Sequence, residues 1–519
     1  MSTMISPLRQ TIERNEALYP NALHSICGER RLTFAQYADR VRRLSSGLHR
    51  LGMRHQDRVA MLAMNCLEYL EMYGVAEMTG YILTTVNWRL AAPEILYILS
   101  DSAPKVLVFE SQYAATIERL RADLPGIEHY VCIGDEVPLW AQPYEAVLAS
   151  GDAKGSPEVA GADDVLCLIY TSGTTGRPKG CMLTHRNHAF MADQSASYQG
   201  MLVGDRALVM APLFHIGARS QQLPIQLRGG TVVVLRAFDA ELALRTIEQE
   251  RINHAHMVPT MVQNVLDLPG QERYDTSSLK CLIYAAAPMP VPVLKRAIER
   301  FGRILVNGWG LTEGGNGAML PRVAHRLDGS ETDLKRLGSV GQPTLGTEVR
   351  VLDDQGREVP RGQVGELCLR STSNMRGYWN NHAATIEALR GGWLHTGDMG
   401  YMDDESYIFL VDRKKDMIIS GGENIYCREV EEAVFEHPGV ADVAVIGVPD
   451  SKWGEAVKAV VVRSATPAGE QLTAEILTAH CRQSIASYKC PKSVEFVDAL
   501  PRLPSGKVSK VALRERYAA

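Results

Sequence analysis

Residues 170–180, YTSGTTGRPKG, combine the residue types that a phosphate-binding loop needs. The glycines let the backbone bend tightly and point its N–H groups at an anion, while the hydroxyls and Lys179 add donors and positive charge. The glycine–lysine spacing differs from that of a Walker A loop. A polar surface turn is the alternative, but the loop follows an apolar, strand-like segment, VLCLIY, and this placement favours phosphate binding. The positions concerned are Thr171, Ser172, Gly173, Thr174, Thr175, Gly176 and Lys179.

Three later segments carry charged side chains whose chemistry suits a nucleotide. In residues 307–313, NGWGLTE, the Glu313 carboxylate suits a Mg²⁺ ion beside polyphosphate. In residues 393–398, WLHTGD, the Asp398 carboxylate can accept two hydrogen bonds from a vicinal diol such as ribose. In residues 501–510, PRLPSGKVSK, the Lys507 ammonium can stabilise charge on a reacting phosphate. Taken singly, each residue also fits a solvated loop position.

In this order the segments resemble the motifs of the adenylate-forming superfamily: acyl-CoA synthetases, adenylation domains of non-ribosomal peptide synthetases, and firefly luciferase. The similarity extends over nearly the whole chain and favours the acyl-CoA synthetase branch, the fatty- or aryl-acid CoA ligases. There, the acid attacks the α-phosphorus of MgATP to give acyl-AMP and pyrophosphate, and the thiol of CoA then displaces AMP. The resemblance therefore implies an AMP-forming acid–thiol ligase that uses ATP, Mg²⁺ and CoA.

The same resemblance implies roles for individual side chains around the nucleotide. The phosphate loop faces pyrophosphate, and the segment AAAP at 285–288 packs on adenine, although relatives often have glycine there. The other implied positions are Ala286, Trp309 and Gly310 near adenine, Asp398 and Arg413 at the ribose, Glu313 and Thr175 at the metal, and Lys507, Thr312 and Glu313 in catalysis.

In relatives the C-terminal domain turns after adenylation, which removes the catalytic lysine and brings a pantetheine tunnel to the site. Lys415 matches the hinge of that motion, with a solvated charge run as the alternative. Lys510 is interpreted as an exposed turn residue. The implied CoA positions are Ser420, Gly421, Gly422, Trp453, Tyr488 and Lys492.

The acid is suggested by residues 212–217, PLFHIG, where amino-acid-adenylating relatives carry an aspartate that pairs with the substrate ammonium. His215 offers no comparable partner, so an acid without an α-amino group is favoured, and a buried structural histidine is the alternative. The small residues after Glu313 indicate room for an acyl group. The acyl-pocket positions are His215, Gly310, Gly317 and Ala318. Medium-chain fatty and aryl or cinnamic-type acids both remain open.

The elements that must position these residues alternate between strand and helix. Apolar runs at 57–63, 81–86, 105–110 and 165–170, with helical patterns at 67–78 and 183–190, indicate βαβ units. We expect an α/β fold in which a large N-terminal domain contains two doubly wound sheets. Turn-rich strands at 338–411 predict antiparallel, barrel-like β structure. A charged stretch near Lys415 divides the adenylation domain, 1–414, from a small mobile α+β domain, 415–519.

Chain length, charge, apolar runs and cysteines indicate the general class of protein. A chain of 519 residues is expected to form at least two domains. A net charge of -5 does not favour binding to nucleic acid. No apolar run is long enough for a membrane span, so a cytoplasmic location is expected. The ten scattered cysteines fit small buried side chains. A homo-oligomer stays open, as do two other functions: loading of an acyl-carrier protein, and non-catalytic nucleotide sensing on the same fold.

Overall fold

The computed structural model describes residues 6–171, 177–287, 289–414, 416–420, 423–450, 453–503 and 507–517. In chain order its strands are β1 Leu23–Cys27, β2 Arg30–Thr33, β3 Arg58–Leu62, β4 Ile82–Thr85, β5 Val106–Glu110, β6 His129–Ile133, β7 Gln142–Pro143, β8 Val165–Thr171, β9 Lys179–Thr184, β10 Arg206–Val209, β11 Thr231–Val234, β12 His254–Met257, β13 Cys281–Ala285, β14 Leu305–Leu311, β15 Gly315–Leu320, β16 Gln342–Pro343, β17 Thr347–Leu352, β18 Gly365–Ser371, β19 Gly377–Tyr378, β20 Leu394–Met402, β21 Ile408–Arg413, β22 Ile418–Ser420, β23 Glu423–Ile425, β24 Val440–Asp450, β25 Gly454–Arg463 and β26 Ser493–Phe496. Its α-helices are α1 Pro7–Leu18, α2 Phe34–Arg50, α3 Leu67–Thr79, α4 Ala92–Ser102, α5 Ala114–Leu120, α6 Tyr144–Ser150, α7 His185–Gln199, α8 Ile216–Leu227, α9 Ala240–Gln249, α10 Pro259–Leu266, α11 Val291–Phe301, α12 Glu331–Arg336, α13 His382–Ala388, α14 Cys427–Phe435, α15 Pro467–Glu470, α16 Ala474–Ser484 and α17 Lys510–Tyr517.

Two large sheets form the N-terminal domain. Within the described residues, one has the strand order β16-β15-β14-β13-β12-β10-β11-β1-β2 and the other β19-β9-β8-β4-β3-β5-β6-β7. Strands β3, β4 and β5 pair in parallel, with α3 and α4 as crossovers, as the βαβ pattern predicts. One buried cluster contains residues of both sheets and of α3, which is buried on every side. The two predicted sheets are therefore confirmed, and they share a core.

The residues after the phosphate loop differ from the prediction. Residues 183–190 were expected to open a helix, but β9 first runs antiparallel to β8, and α7 begins only at His185. The start of α7 is set by a capping box, in which Thr184 and Asn187 each bond the other's backbone N–H. The predicted helix is confirmed from His185 onward, and its start differs because Leu183 is buried as a strand residue beside β8. The loop therefore closes a β-hairpin.

Two smaller sheets complete the molecule. Strands β17, β18, β20 and β21 form an antiparallel sheet, as expected for residues 338–411. The C-terminal sheet has the order β23-β22-β25-β24, with β26 beside β25, and α14 and α16 share a separate buried cluster with it. A large N-terminal domain followed by a smaller α+β domain is thus confirmed, while the boundary between residues 414 and 415 stays a prediction.

Two further sequence predictions concern membrane-spanning helices and the cysteines. No helix in the described ranges is long and apolar enough to cross a membrane. All ten cysteines are free thiols, and all except the half-buried Cys27 are buried. Burial of this kind agrees with their interpretation as small apolar side chains.

Candidate active site

The predicted phosphate loop joins the ends of β8 and β9. Thr171 ends β8 and lies opposite Lys179, which begins β9. The Lys179 Nζ is 5.1 Å from the centre of the Tyr378 ring, so the positive charge is held over an aromatic face. The remaining loop positions lie outside the described residues, and their phosphate and metal roles stay predictions: Ser172, Gly173, Thr174, Thr175 and Gly176.

Glu313 receives hydroxyl donors from two other segments. Thr171 Oγ1 and the Tyr378 hydroxyl each donate to Glu313 Oε1 at 3.0 Å. Burial, followed by the charge of Glu313, raises the pKa of Tyr378, so this hydroxyl stays protonated as a donor. A carboxylate oriented by neutral donors beside a phosphate loop is a suitable ligand for Mg²⁺. Thr312, the neighbouring predicted residue, is buried.

Tyr378 was missed by the sequence reasoning. It lies in β19, which pairs antiparallel with β9 and thereby brings the ring to the end of the phosphate hairpin. Its segment, GYWN, carries no charged side chain, and Thr171 and Glu313 are far from it in sequence. The one available signal was the aromatic pair Tyr378-Trp379 after a glycine.

Asp398 is held between an indole and a guanidinium. Trp309 Nε1 donates to Asp398 Oδ2 at 2.9 Å, and Arg413 Nε lies 2.9 Å from Asp398 Oδ1. Asp398 and Arg413 face each other across β20 and β21, with the aspartate buried and the arginine exposed. The two residues predicted at the ribose are therefore adjacent. The place of Trp309 beside adenine stays a prediction.

The small residues of β14 and β15 lie where close packing leaves no space for larger side chains. A Cβ on Gly310 would lie 1.9 Å from the Gly315 carbonyl oxygen, and a Cβ on Gly317 would lie 2.7 Å from the Trp309 ring. Ala318 is fully buried opposite Trp309. Their small size was interpreted as room for the acyl group. Hairpin closure and the indole occupy the space beside both glycines, so acyl-pocket roles for these residues stay predictions.

Ala286 has an uncommon backbone conformation. Its φ is 74°, in the left-handed region that glycine adopts without steric cost. It follows β13 directly, and its side chain is exposed. The glycine that relatives often have there matches this geometry, and the strain of an alanine is typical of ligand-contacting loops. The predicted adenine contact thus fits the local geometry.

Lys507 lies near His215, although the two residues belong to different domains. Burial, and after it the positive charge of Lys507, lowers the pKa of His215 to about 4. The imidazole is therefore neutral near pH 7. Its Nδ1 accepts the Gly217 N–H at 3.1 Å and so caps the start of α8. The structure thus brings the predicted catalytic lysine beside the predicted acyl-pocket wall.

Lys510 is a correction to the sequence interpretation. It was interpreted as an exposed turn residue, but it begins α17, and its Nζ lies 2.8 Å from Glu431 Oε1 in a largely buried pair. Burial by itself lowers the pKa of Lys510, but Glu431, Cys427 and Asp412 together outweigh this effect and raise it. The lysine therefore holds the last helix against the C-terminal domain.

The predicted CoA residues are all in the C-terminal domain. Ser420 pairs with Gly454 between β22 and β25, which places it beside the Trp453 segment. Trp453 and Tyr488 are each 44% exposed, and Lys492 is also exposed. The other predicted positions lie outside the described residues, and all CoA and hinge roles stay predictions: Gly421, Gly422 and Lys415.

Known proteins are similar to this chain over nearly its whole length. Residues 12–379 match the AMP-binding enzyme family, and residues 429–507 match the AMP-binding enzyme C-terminal domain. A feruloyl-CoA synthase from Amycolatopsis sp is 40% identical over 506 residues, 97% of this chain and 98% of that protein. A fatty acid–[acyl-carrier-protein] ligase, ScoC, from Streptomyces coeruleorubidus is 36% identical over 528 residues, 100% of this chain and 98% of that protein.

A solved structure supports the same conclusion. The amide bond synthetase McbA from Marinactinospora thermotolerans superposes with a TM-score of 0.89 at 29% identity, covering 98% of this chain and 100% of that one. The family matches also include both domains, in the order of the two folded units. The chain therefore belongs to the AMP-binding enzyme family, in the acyl-CoA synthetase branch of the adenylate-forming enzymes.

Proposed function

We propose that this protein is an acyl-CoA synthetase that acts on a carboxylic acid without an α-amino group. The acid's carboxylate oxygen attacks the α-phosphorus of ATP, and the bond to pyrophosphate breaks. The thiol of CoA then attacks the acyl carbon, and AMP leaves. The coarser statement, that the chain is an ATP-dependent ligase of this family, follows from its membership.

One observation carries the proposal: Lys507 lies close enough to His215 to lower its pKa. A lysine from the C-terminal domain thus reaches the N-terminal domain at the predicted acyl wall. Stabilisation of charge at a reacting phosphate needs a cation there. The position supports Lys507 as the residue that serves adenylation.

The other site residues fit the same half-reaction. Asp398 can accept the ribose hydroxyls, and Arg413 pairs with its carboxylate. Glu313 would hold a magnesium ion, which would neutralise phosphate charge when bound. Thr171 and Tyr378 orient the Glu313 carboxylate through their hydroxyls. These contacts position the nucleotide and leave the acid to be recognised elsewhere.

The neutral state of His215 supports the choice of acid. An imidazole is neutral or cationic and so offers no negative charge to a substrate ammonium, and the ring is neutral here because its pKa is lowered to about 4. Feruloyl-CoA synthase, an aryl-acid enzyme by name, is the relative with 40% identity. Both points favour an acid without an amino group beside the carboxylate.

A carrier-protein thiol is the second candidate acceptor. It is favoured by the ScoC relative, whose name gives an acyl-carrier protein as the acceptor and which matches 100% of this chain. The exposed Trp453 and Tyr488 fit either a CoA nucleotide or a protein surface. CoA is preferred because Ser420 pairs beside the Trp453 segment, at the predicted pantetheine tunnel.

The two half-reactions, measured separately, test the proposal. Pyrophosphate exchange with ATP reports adenylation, and acyl-CoA formation from supplied acyl-AMP reports thiol transfer. Replacement of Lys507 by Ala should reduce exchange by about 10²–10³-fold while transfer from acyl-AMP to CoA continues. The exposed Lys154 gives a matched control, because Lys154→Ala removes a lysine remote from the site residues and should change neither rate.

The outcomes separate the candidate functions. No exchange with any acid would contradict the enzymatic proposal. Exchange without acyl-CoA formation, but with acyl transfer to an acyl-carrier protein, would favour the second acceptor. Equal loss of both half-reactions in Lys507→Ala would contradict the role of Lys507 in adenylation alone.

A further inference from the structure

Two buried side chains beside the acyl wall have polar atoms without partners. His256 is 5% exposed and Gln221 is 1% exposed. Within the part of the chain that the structure describes, His256 Nε2 and both amide atoms of Gln221 have no hydrogen-bond partner. A buried polar group left unpaired costs about 1–3 kcal/mol, so such atoms in a binding enzyme indicate a group that arrives with the ligand.

His256 lies directly behind His215. Its Nδ1 is 3.0 Å from the Gly217 carbonyl oxygen, while the Gly217 N–H bonds to His215 Nδ1. A Cβ built on Gly217 would lie 3.4 Å from His256 and 3.5 Å from His215. The two rings therefore flank one glycine at the start of α8.

Gln221 lies one helical turn beyond Gly217. Residues four apart in an α-helix share a face, so Gln221 is on the side of α8 that meets His256. Its neighbour Gln222 is equally buried, but it bonds to Arg219 and Gln226 on the same helix. The protein thus satisfies one buried glutamine internally and leaves the other unpaired on the face toward His256.

The hydrogen-bonding state of His256 determines which group would fit. The Gly217 carbonyl can only accept, so Nδ1 must carry the proton. Burial lowers the pKa of His256, which keeps the ring neutral, and Nε2 is then an acceptor. Gln221 supplies an N–H donor and a carbonyl acceptor. A hydroxyl group, which donates one hydrogen bond and accepts another, complements both side chains.

We propose that His256 and Gln221 select an acid with a hydroxyl group remote from its carboxylate. This inference rests on the proposed function and names the substrate class for the same site. The hydroxyl donates to His256 Nε2 and accepts from the Gln221 amide. An acid without that hydroxyl leaves both side chains unpaired. A site that hydrogen-bonds a substrate hydroxyl strongly rejects the substrate analogue that lacks it, because the buried polar groups then have no partner.

Matched acid pairs test the inference and distinguish two sources of the hydroxyl. The aryl pair is 4-hydroxycinnamate and cinnamate, and the aliphatic pair is 10-hydroxydecanoate and decanoate. The measurement is the ratio of kcat/KM, hydroxylated over plain, in pyrophosphate exchange. We expect a ratio of at least about 10² for one pair. Preference within the aryl pair indicates a hydroxyaryl acid, and preference within the aliphatic pair indicates a hydroxy fatty acid.

Two variants attribute the preference to these side chains. Gln221→Leu removes the amide, and His256→Asn keeps a donor for the Gly217 carbonyl but removes the Nε2 position. Each should reduce the ratio by about tenfold or more. The matched control is Gln222→Leu, the same change at the next residue, which should leave the ratio unchanged.

Thermal unfolding of the acid-free variants gives a readout that does not depend on activity. Gln221→Leu should unfold at the same or a higher temperature than the natural protein, because it removes unpaired buried atoms. Gln222→Leu should unfold at a lower temperature, because it breaks bonds within the protein. An equal decrease in both variants would make Gln221 an ordinary structural residue and overturn the inference.

Activity results also keep the two proposals apart. Pyrophosphate exchange with plain and hydroxylated acids alike, at ratios that neither variant changes, would overturn the inference and leave the proposed function intact; the polar atoms would then hold a buried water. Absence of exchange with every acid would contradict the proposed function itself.

Discussion

At the scale of single residues, contacts between distant segments decide how the nucleotide chemistry is supported. Tyr378 donates to the same oxygen of Glu313 that accepts from Thr171, and its ring lies under Lys179. A ligand carboxylate that is oriented by fixed donors binds a metal ion with less reorganisation than a free one. Tyr378 is therefore a positioning residue for Glu313.

Replacement of Tyr378 by Phe tests this positioning. The variant keeps the ring but loses the donor to Glu313, so the Mg²⁺ concentration for half-maximal pyrophosphate exchange should rise by about 10-fold. The control is Tyr401→Phe in β20, where the ring stacks on Phe409 away from these contacts. A decrease in maximal rate with an unchanged Mg²⁺ requirement would contradict the positioning role.

The same contacts show what the sequence could predict of the site. Glu313, Asp398 and Lys507 were predicted because each is a charged residue within a recognisable motif. The bond from Trp309 to Asp398 and the bond from Tyr378 to Glu313 were not predicted. They join segments far apart in the chain, and no spacing rule applies to such pairs.

At the scale of elements, the β14–β15 hairpin fixes the position of Glu313. The two strands meet so closely that a Cβ on Gly310 would lie 1.9 Å from the Gly315 carbonyl oxygen. Gly315 itself has a φ of 64° at the turn. Two glycines therefore permit the tight connection on which Glu313 is carried, and the hairpin requires them for closure rather than for pocket space.

Gly310→Ala should disrupt this hairpin. Since the clash is with backbone, no side-chain rotation relieves it, and the free energy of unfolding should fall by about 3 kcal/mol, as measured by urea denaturation. Gly308→Ala is the matched control, because a Cβ there meets Ile283 at an ordinary 3.5 Å. Equal stability of the two variants would show that the strands can separate without cost.

Element types were predictable where burial and periodicity agreed. The pattern at 67–78 predicted a helix, and α3 spans Leu67–Thr79. The helix predicted at 183–190 begins two residues later, at His185, because the apolar residues of β9 have no distinctive period and only their pairing with β8 makes them a strand. Tertiary pairing, rather than local propensity, decided that element.

At the scale of the whole molecule, the small C-terminal domain carries residues predicted for both half-reactions. Lys507 lies near His215, while Trp453 and Tyr488, on the same small domain, are exposed. If Lys507 serves adenylation and CoA reaches the acyl group through the Trp453 segment, as we propose, the small domain must turn between the two half-reactions.

The buried histidines make the stability of the whole molecule depend on pH. Burial lowers the pKa of His24 and of His185 to about 3, and that of His215 and of His325 to about 4. Between about pH 6.5 and pH 4 the unfolded chain binds protons that the folded chain does not. The contribution of these four histidines to the free energy of unfolding should therefore be constant above pH 6.5. Below pH 6.5 the free energy of unfolding should decrease as the pH falls.

His24 provides the sharpest test of this pH dependence. Its ring stacks on Tyr37 with centroids 3.6 Å apart and meets Phe34 edge-on at 5.2 Å. His24→Phe keeps an aromatic ring there and removes the titration, which amounts to about 5 kcal/mol between pH 6.5 and 3. Urea denaturation from pH 7.5 to 4.5 should show a shallower slope. The exposed His382 provides the control, because His382→Phe removes a histidine that is exposed in the folded chain. An unchanged slope in His24→Phe would mean that other groups control the acid sensitivity of the fold.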